Sequence, residues 1–281
     1  MIGIFKEILT QDYHRRALLA LILASGICSY LSVWVVLRRS VFLGAALAEI
    51  ASAGVALGAL IEEWMGHHAE NPEESHTLIG CALAATLLGI LIFSIRPARR
   101  RIPEEGTIGS GWVIAGGFGL LFLDLNTQGE AHIRDILKGN LLGVNWHDVQ
   151  LMVVFFLALA VVHVLFFKEF LFISFDPETA ATQGYRVRGW DFLLYFTLGV
   201  AIALSIRFVG TLITFSSLVL PGVTALLLTR RLGWAFTLSV ALAMVASVVG
   251  YSFLERATAA TVPVCSTVLL LLALVLRALR R

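Results

Sequence analysis

The chain has 281 residues, 58% of them apolar and only 14% charged, against about 45–50% and about 25% in ordinary soluble domains. A water-soluble enzyme of this make-up would expose large apolar patches, which soluble proteins avoid, so that class is excluded. The 21 Lys and Arg nearly balance the 19 Asp and Glu, and a net charge of +2 gives no reason to expect a nucleic-acid partner. Too few polar residues remain for disorder, and the composition predicts an integral membrane protein.

A helical crossing of the bilayer needs about 20 apolar residues. Taken in chain order, the apolar runs predict spans at 17–37, 41–61, 77–95, 107–123, 149–167, 192–206, 208–229, 232–254 and 257–276, nine in all. The fold class is therefore an all-α polytopic helix bundle. No Pro/Gly/Ser-rich linker or charge block divides it, so residues 1–281 read as one transmembrane domain. The first sixteen residues are mixed in polarity and the first apolar run is too long for a signal h-region, so no cleavable leader is expected. Cys28, Cys81 and Cys265 each sit inside an apolar run, without metal-ligand spacing, and read as small buried hydrophobes.

Lys and Arg are retained on the cytoplasmic side. With the C-terminus inside, the inner segments hold Arg38, Arg39, Arg96, Lys168, Arg186, Arg188, Arg230, Arg231 and Arg277, together with the basic runs at 99–101 and 280–281. Lys6, Arg15 and Arg16 precede the first span and pull mildly the other way. The pattern favours an outer N-terminus and an inner C-terminus. Residues 62–76 contain no Lys or Arg and are expected to face outward.

On the basic side, residues 168–190 are too polar to span. Asp176 is a good N-cap, Pro177 suits the first helical position and Gly184 suits the residue after the last turn. These signals predict a helix of about two turns over 177–183, set off by aromatics before it and arginines after it. It is either an ordinary interfacial loop helix or a docking helix for a cytoplasmic partner.

Glu49 lies mid-way along the second span. A carboxylate at the bilayer centre costs about 2.5–3.5 kcal/mol on insertion scales, so it normally faces a bundle interior or a water-filled path. Small residues surround it, and Gly54 with Gly58 form a GxxxG pair that permits close helix approach. Two readings stand side by side: a protonated glutamate hydrogen-bonded across a tight helix contact, or a residue of a substrate path.

The seventh span carries Pro221, which removes a backbone donor and is expected to kink or break the helix. Gly210, Thr211, Thr214, Ser216, Ser217 and Thr224 supply hydroxyls or close approach there, and Arg207 precedes it at the expected outer rim. The bland alternative is a kinked helix in a static bundle. His67, His68 and His76 in the outer loop, among five glutamates, offer ligand types suited to Zn²⁺ and similar ions. Their spacing matches no fixed site, and a solvated acidic loop is the favoured explanation of the two. No lysine follows a glycine, so there is no Walker A loop, and neither HExxH nor GxSxG occurs. His163 stands alone near the inner end of its span and reads as a packing histidine.

Three stretches in order resemble the membrane permease subunits of ABC importers for zinc, manganese and iron, over about residues 37–276. The first is LRRSVFLGAALAEIASAGVALG, with Arg38, Arg39, Gly44, Gly54 and Gly58 in register; the second is Phe175-Asp176-Pro177-Glu178 through Ala180 to Gly184. The third runs from Val209-Gly210-Thr211-Leu212 to Leu218-Val219-Leu220-Pro221 and Ala225. Family members commonly place an Asp and a His on the second span to hold the passing metal. The matching positions here are Ala45 and Glu49, a departure that leaves the metal open and is compatible with pairing to a different permease that supplies better ligands.

The resemblance implies a multi-pass permease of the bacterial cytoplasmic membrane, working as a homo- or heterodimer with a second copy or a homologous permease. It would take a divalent metal, as substrate, from an extracytoplasmic binding protein. ATP would be hydrolysed on a separate ABC ATPase docked at Phe175, Asp176, Pro177, Glu178 and Gly184; this chain would bind no cofactor and would not itself be an enzyme. Glu49, Ser52, Thr214 and Ser217 would line the path, with Glu49, His67, His68 and His76 as possible metal ligands. Gly44, Gly54, Gly58, Gly210 and Pro221 would serve packing and bending. A permease for a metal chelate such as haem or a siderophore is the near rival. A membrane-embedded enzyme is the distant one, since it would need a cluster of polar residues within the spans.

Overall fold

The structure is a computed structural model that describes residues 11–65, 76–94, 104–126, 139, 141–253 and 258–279. All the regular elements among them are helical. They are α1 (Asp12–Leu37), α2 (Val41–Trp64), α3 (His76–Ser94), α4 (Glu104–Asp124), a 3-10 turn (Leu141–Gly143), α5 (Trp146–Leu165), α6 (Phe167–Phe175), α7 (Pro177–Thr182), α8 (Val187–Leu228), α9 (Leu232–Phe253) and α10 (Thr258–Leu279). Seven of these helices are long and apolar enough to cross a bilayer, and α3 contributes a shorter apolar stretch, Thr77–Phe93.

The sixth and seventh expected spans form one run of 42 residues, α8, interrupted by non-helical backbone at Gly210 (φ 81°, ψ 168°). That conformation lies in the left-handed region open to glycine. Arg38, capping the end of α1, meets Asp191 near the start of α8, and Cys28 meets Ser205 further along. The first limb, 187–209, therefore runs antiparallel to α1. Ser32, back toward Arg38, meets Val219 and Gly222 of the second limb. The chain has thus reversed at Gly210, so α8 crosses twice, and with α3 included the apolar segments among the described residues number the expected nine.

The helix break falls at Gly210, and Pro221 lies inside helical backbone. Around it, Ser32 Oγ of α1 accepts from the Gly222 N–H at 3.0 Å and donates to the Val219 carbonyl at 3.3 Å. A hydroxyl from a neighbouring helix thus bonds the backbone on either side of the proline.

α1 is the central post. Its serines recur on one side, where Ser25 bonds Ser247 at 2.7 Å, the Ser29 carbonyl accepts from Ser239 at 2.7 Å, and His14 bonds Tyr251 at 2.8 Å. These contacts set α9 antiparallel to α1. Among membrane helices, where burial of apolar surface drives little, such bonds contribute about 0.6–2 kcal/mol each. The other large contact is glycine-faced. A Cβ at Gly54 would stand 2.7 Å from the Cys81 carbonyl oxygen, and one at Gly58 would stand 3.0 Å from Leu78 Cα, so α2 and α3 touch backbone to backbone. Gly119 packs on Ala53 in the same way, bringing α4 alongside α2. Outward faces of α4, α5 and α10 present Trp112, Phe118, Val154, Leu157, Val164 and Leu271, exposed apolar side chains suited to lipid.

Candidate functional site

Helix α7 forms where the sequence signals place it, one residue shorter than 177–183. Asp176 breaks α6 with non-helical backbone (φ -143°, ψ 79°) and then caps α7, its carboxylate accepting the Thr179 N–H at 2.9 Å. Hydrogen bonding from Thr179, side chain and backbone, holds the Asp176 carboxyl below its ordinary pKa, so it is anionic at neutral pH. Pro177 occupies the first turn. At the far end Gly184 takes φ 88°, and the Tyr185 N–H reaches back to the Ala180 carbonyl at 3.0 Å. Ala180 is the residue of α7 that is buried, while Asp176, Pro177, Glu178 and Thr179 are exposed and Phe175 is 59% exposed. A short, doubly capped helix therefore presents an aromatic ring and acidic groups at the end of the bundle that carries Arg38.

Under this helix lies a contact that the sequence did not reveal. Arg38 donates through Nη1 to Asp191 at 2.6 Å and through Nε to Ser174 at 2.8 Å, with its guanidinium 5.8 Å from the Tyr195 ring centre. The paired side chains are 8% and 11% exposed. The available signal was an aspartate at the head of an apolar run, directly after Trp190, on the same side as a terminal arginine. Nothing in the spacing says that the two meet.

Glu49 is half-buried on α2 and faces α4, where a Cβ on Gly116 would stand 3.3 Å from its Oε1. No hydrogen bond or ion pair holds it among the described residues. Ala45, Glu49 and Ser52 recur at helical spacing and share one side of α2. Gly44, on the neighbouring side, receives Leu218 of the second limb of α8. Thr214 is buried with its hydroxyl donated to the Gly210 carbonyl at 2.7 Å, and Ser217 is 2% exposed. No hydrogen bond joins Thr214 or Ser217 to Glu49. Within one chain, then, the four expected path residues fall into two groups: Glu49 and Ser52 on α2, Thr214 and Ser217 on α8.

No three His, Cys, Asp or Glu side chains gather as a metal site among the described residues. His67 and His68 lie outside those residues, as do Arg96 and the basic runs 99–101 and 280–281; His76 is the first residue of α3. His163 is buried, bonded through Nε2 to Thr197 at 2.9 Å, and ringed by Tyr30, Trp34 and Phe170, which accords with a packing role.

Repeated apolar crossings and an exposed capped helix at one end define a multi-pass protein of the cell membrane, built as a transport subunit is built. The chain belongs to the ABC 3 transport family, which it matches over residues 10–277. It is 26% identical over 276 residues to a probable iron transport system membrane protein of Haemophilus influenzae, covering 97% of this chain and 93% of that one. The manganese transport system membrane protein MntC of Halalkalibacterium halodurans is 24% identical (89% and 81% covered), and the high-affinity zinc uptake system membrane protein ZnuB of H. influenzae 26% (92% and 95%). Among solved structures, PsaBC from Streptococcus pneumoniae in complex with Fab shares the fold, with a TM-score of 0.82 at 21% identity over 97% of this chain and 95% of that one.

Proposed function

We propose that this chain is the permease subunit of an ATP-driven importer that carries a divalent metal ion, Zn²⁺, Mn²⁺ or Fe²⁺, into the cytoplasm by alternating access. An extracytoplasmic binding protein delivers the ion, and a separate ABC ATPase supplies the energy. The observation that carries the reading is the doubly capped, exposed α7, in a chain whose family relatives are named for iron, manganese and zinc transport. Phe175, Asp176, Pro177 and Glu178 form the ATPase-docking face, with Gly184 closing it. The ion passes beside Glu49, at a dimer interface with a second copy or a homologous permease.

The mechanism follows from charge and position. A carboxylate in a low-dielectric layer lowers the barrier for a passing cation, since an opposite charge offsets part of the ion's lost hydration. One carboxylate binds weakly, which suits release as well as capture. The test is ATP-dependent accumulation of each ion separately, in vesicles holding this chain with its ATPase and binding protein. Accumulation of one ion is expected. Asp176→Lys is expected to abolish it while leaving membrane insertion intact, and Glu49→Gln to reduce it. Wild-type rates in both variants would overturn the assigned roles.

A second reading, transport of a metal chelate, is favoured by one observation. Ala45 stands where the family's carboxylate ligand is usual, so this chain brings fewer donors to a naked ion. Uptake of a chelate with no uptake of free ions would select it.

A further inference from the structure

The exposed segment between α6 and α8 has two roots, and both end on the same guanidinium. Ser174 closes α6 just before Asp176, and Asp191 sits in the early turns of α8, just after the exposed Arg186 and Arg188. Arg38 holds both at once, Ser174 at 2.8 Å and Asp191 at 2.6 Å. Surface ion pairs contribute little, and a buried pair can often be replaced by apolar packing without loss of stability. What the arginine fork adds is geometry, because its donors point in fixed directions in one plane. Directly after it, Arg39 takes φ 55°, the Ser40 N–H bonds the Val35 carbonyl at 3.0 Å, and α2 begins at Val41. The turn that starts the Glu49-bearing helix is therefore one residue from the guanidinium's backbone.

We propose that Arg38 is the positioning residue that makes the docking segment a lever. It clasps both roots of the segment to the α1–α2 turn, so that displacement of α7 moves α2. A docking loop without the clasp would shift against the bundle and leave α2 at rest. The inference rests on the docking role proposed above for α7.

The test uses the full complex of this chain, its ATPase and its binding protein in proteoliposomes. It reads ATPase retained on the purified permease, ATP hydrolysed, and ions moved per ATP for whichever of Zn²⁺, Mn²⁺ or Fe²⁺ the wild type accumulates. Arg38→Lys keeps a positive charge opposite Asp191, but a lone ammonium cannot reproduce the two-armed fork. Coupling between sites is commonly worth about 5–150-fold. The expected result is normal ATPase retention, continuing hydrolysis, and about tenfold fewer ions per ATP. Asp191→Asn is expected to act in the same direction, with Asp191→Glu restoring most of the loss. Ser174→Ala leaves the ion pair in place, should a charge-altering variant fail to fold, and is expected to cost about fivefold. A wild-type ratio in Arg38→Lys overturns the clasp alone, as does a loss of ATPase retention in that variant, which would mark a purely structural role. Undiminished retention in Asp176→Lys overturns the docking reading, and the clasp with it.

Discussion

The seam between α1 and α8 and the seam of α2 with α3 and α4 hold the same bundle by different means. Along the first, directed polar contacts recur at several depths: Arg38 to Asp191, Ser32 to Gly222, Cys28 to Ser205. Along the second, glycines bring backbones together at Gly54, Gly58 and Gly119, and the contact is one of shape. Hydrogen bonds define a register, since each donor has one acceptor at the right distance and angle. Close-packed apolar surfaces resist insertion of bulk but oppose sliding far less. The helix that carries Glu49 thus lies on the smooth seam, and the post against which it would move lies on the keyed one.

Bulk placed on the smooth seam tests this contrast most severely. In Gly54→Leu the new side chain meets the Cys81 carbonyl and Ala82 Cα, backbone atoms that cannot turn aside. Overpacking of that kind is expected to cost about 3 kcal/mol, read as a loss of folded protein in detergent unfolding. An unchanged melting curve would show that α2 and α3 are not in close contact.

Removing a key from the other seam should act more gently. Ser32→Ala removes the side-chain acceptor of the Gly222 N–H and a donor to the Val219 carbonyl, at a cost of about 1–2 kcal/mol. The same unfolding measurement checks it, and no change would mean that this bond does not key the seam.

Smallest of all is Gly117→Ala on α4, where an added Cβ meets nothing within 4 Å. Alanine is the better helix former, and a stabilisation of about 0.5 kcal/mol is expected. Its neighbour Gly116 sharpens the point, because a Cβ there would press on the Glu49 carboxylate at 3.3 Å. Gly116→Ala is expected to lower ion uptake with little change in melting, so a paired measurement separates the two glycines.

Much of the architecture was legible in the chain itself. Long apolar runs announce spans because a helix in lipid must satisfy its own backbone and show apolar side chains outward. Asp176, Pro177 and Gly184 announced α7 because caps act on adjacent residues, within reach of local reading. The glycines at 44, 54 and 58 signalled close approach without saying to what. Pro221 drew attention as the expected break, whereas the reversal falls at Gly210. A proline withholds one N–H, here from the Ser217 carbonyl, but the backbone through Pro221 stays helical, and Ser32, nearly two hundred residues away, holds the adjoining Gly222 N–H.

What the sequence determined by itself was the set of features that depend on near neighbours: which segments cross, which short helix is capped, and where the small residues lie. Only the tertiary structure decided that Glu49 faces α4, and that Arg38 closes on Asp191 and Ser174. The reason is physical. Propensity and hydropathy act through the local backbone, whereas a partner across a helix seam is chosen by rotation and register, which the whole bundle sets at once.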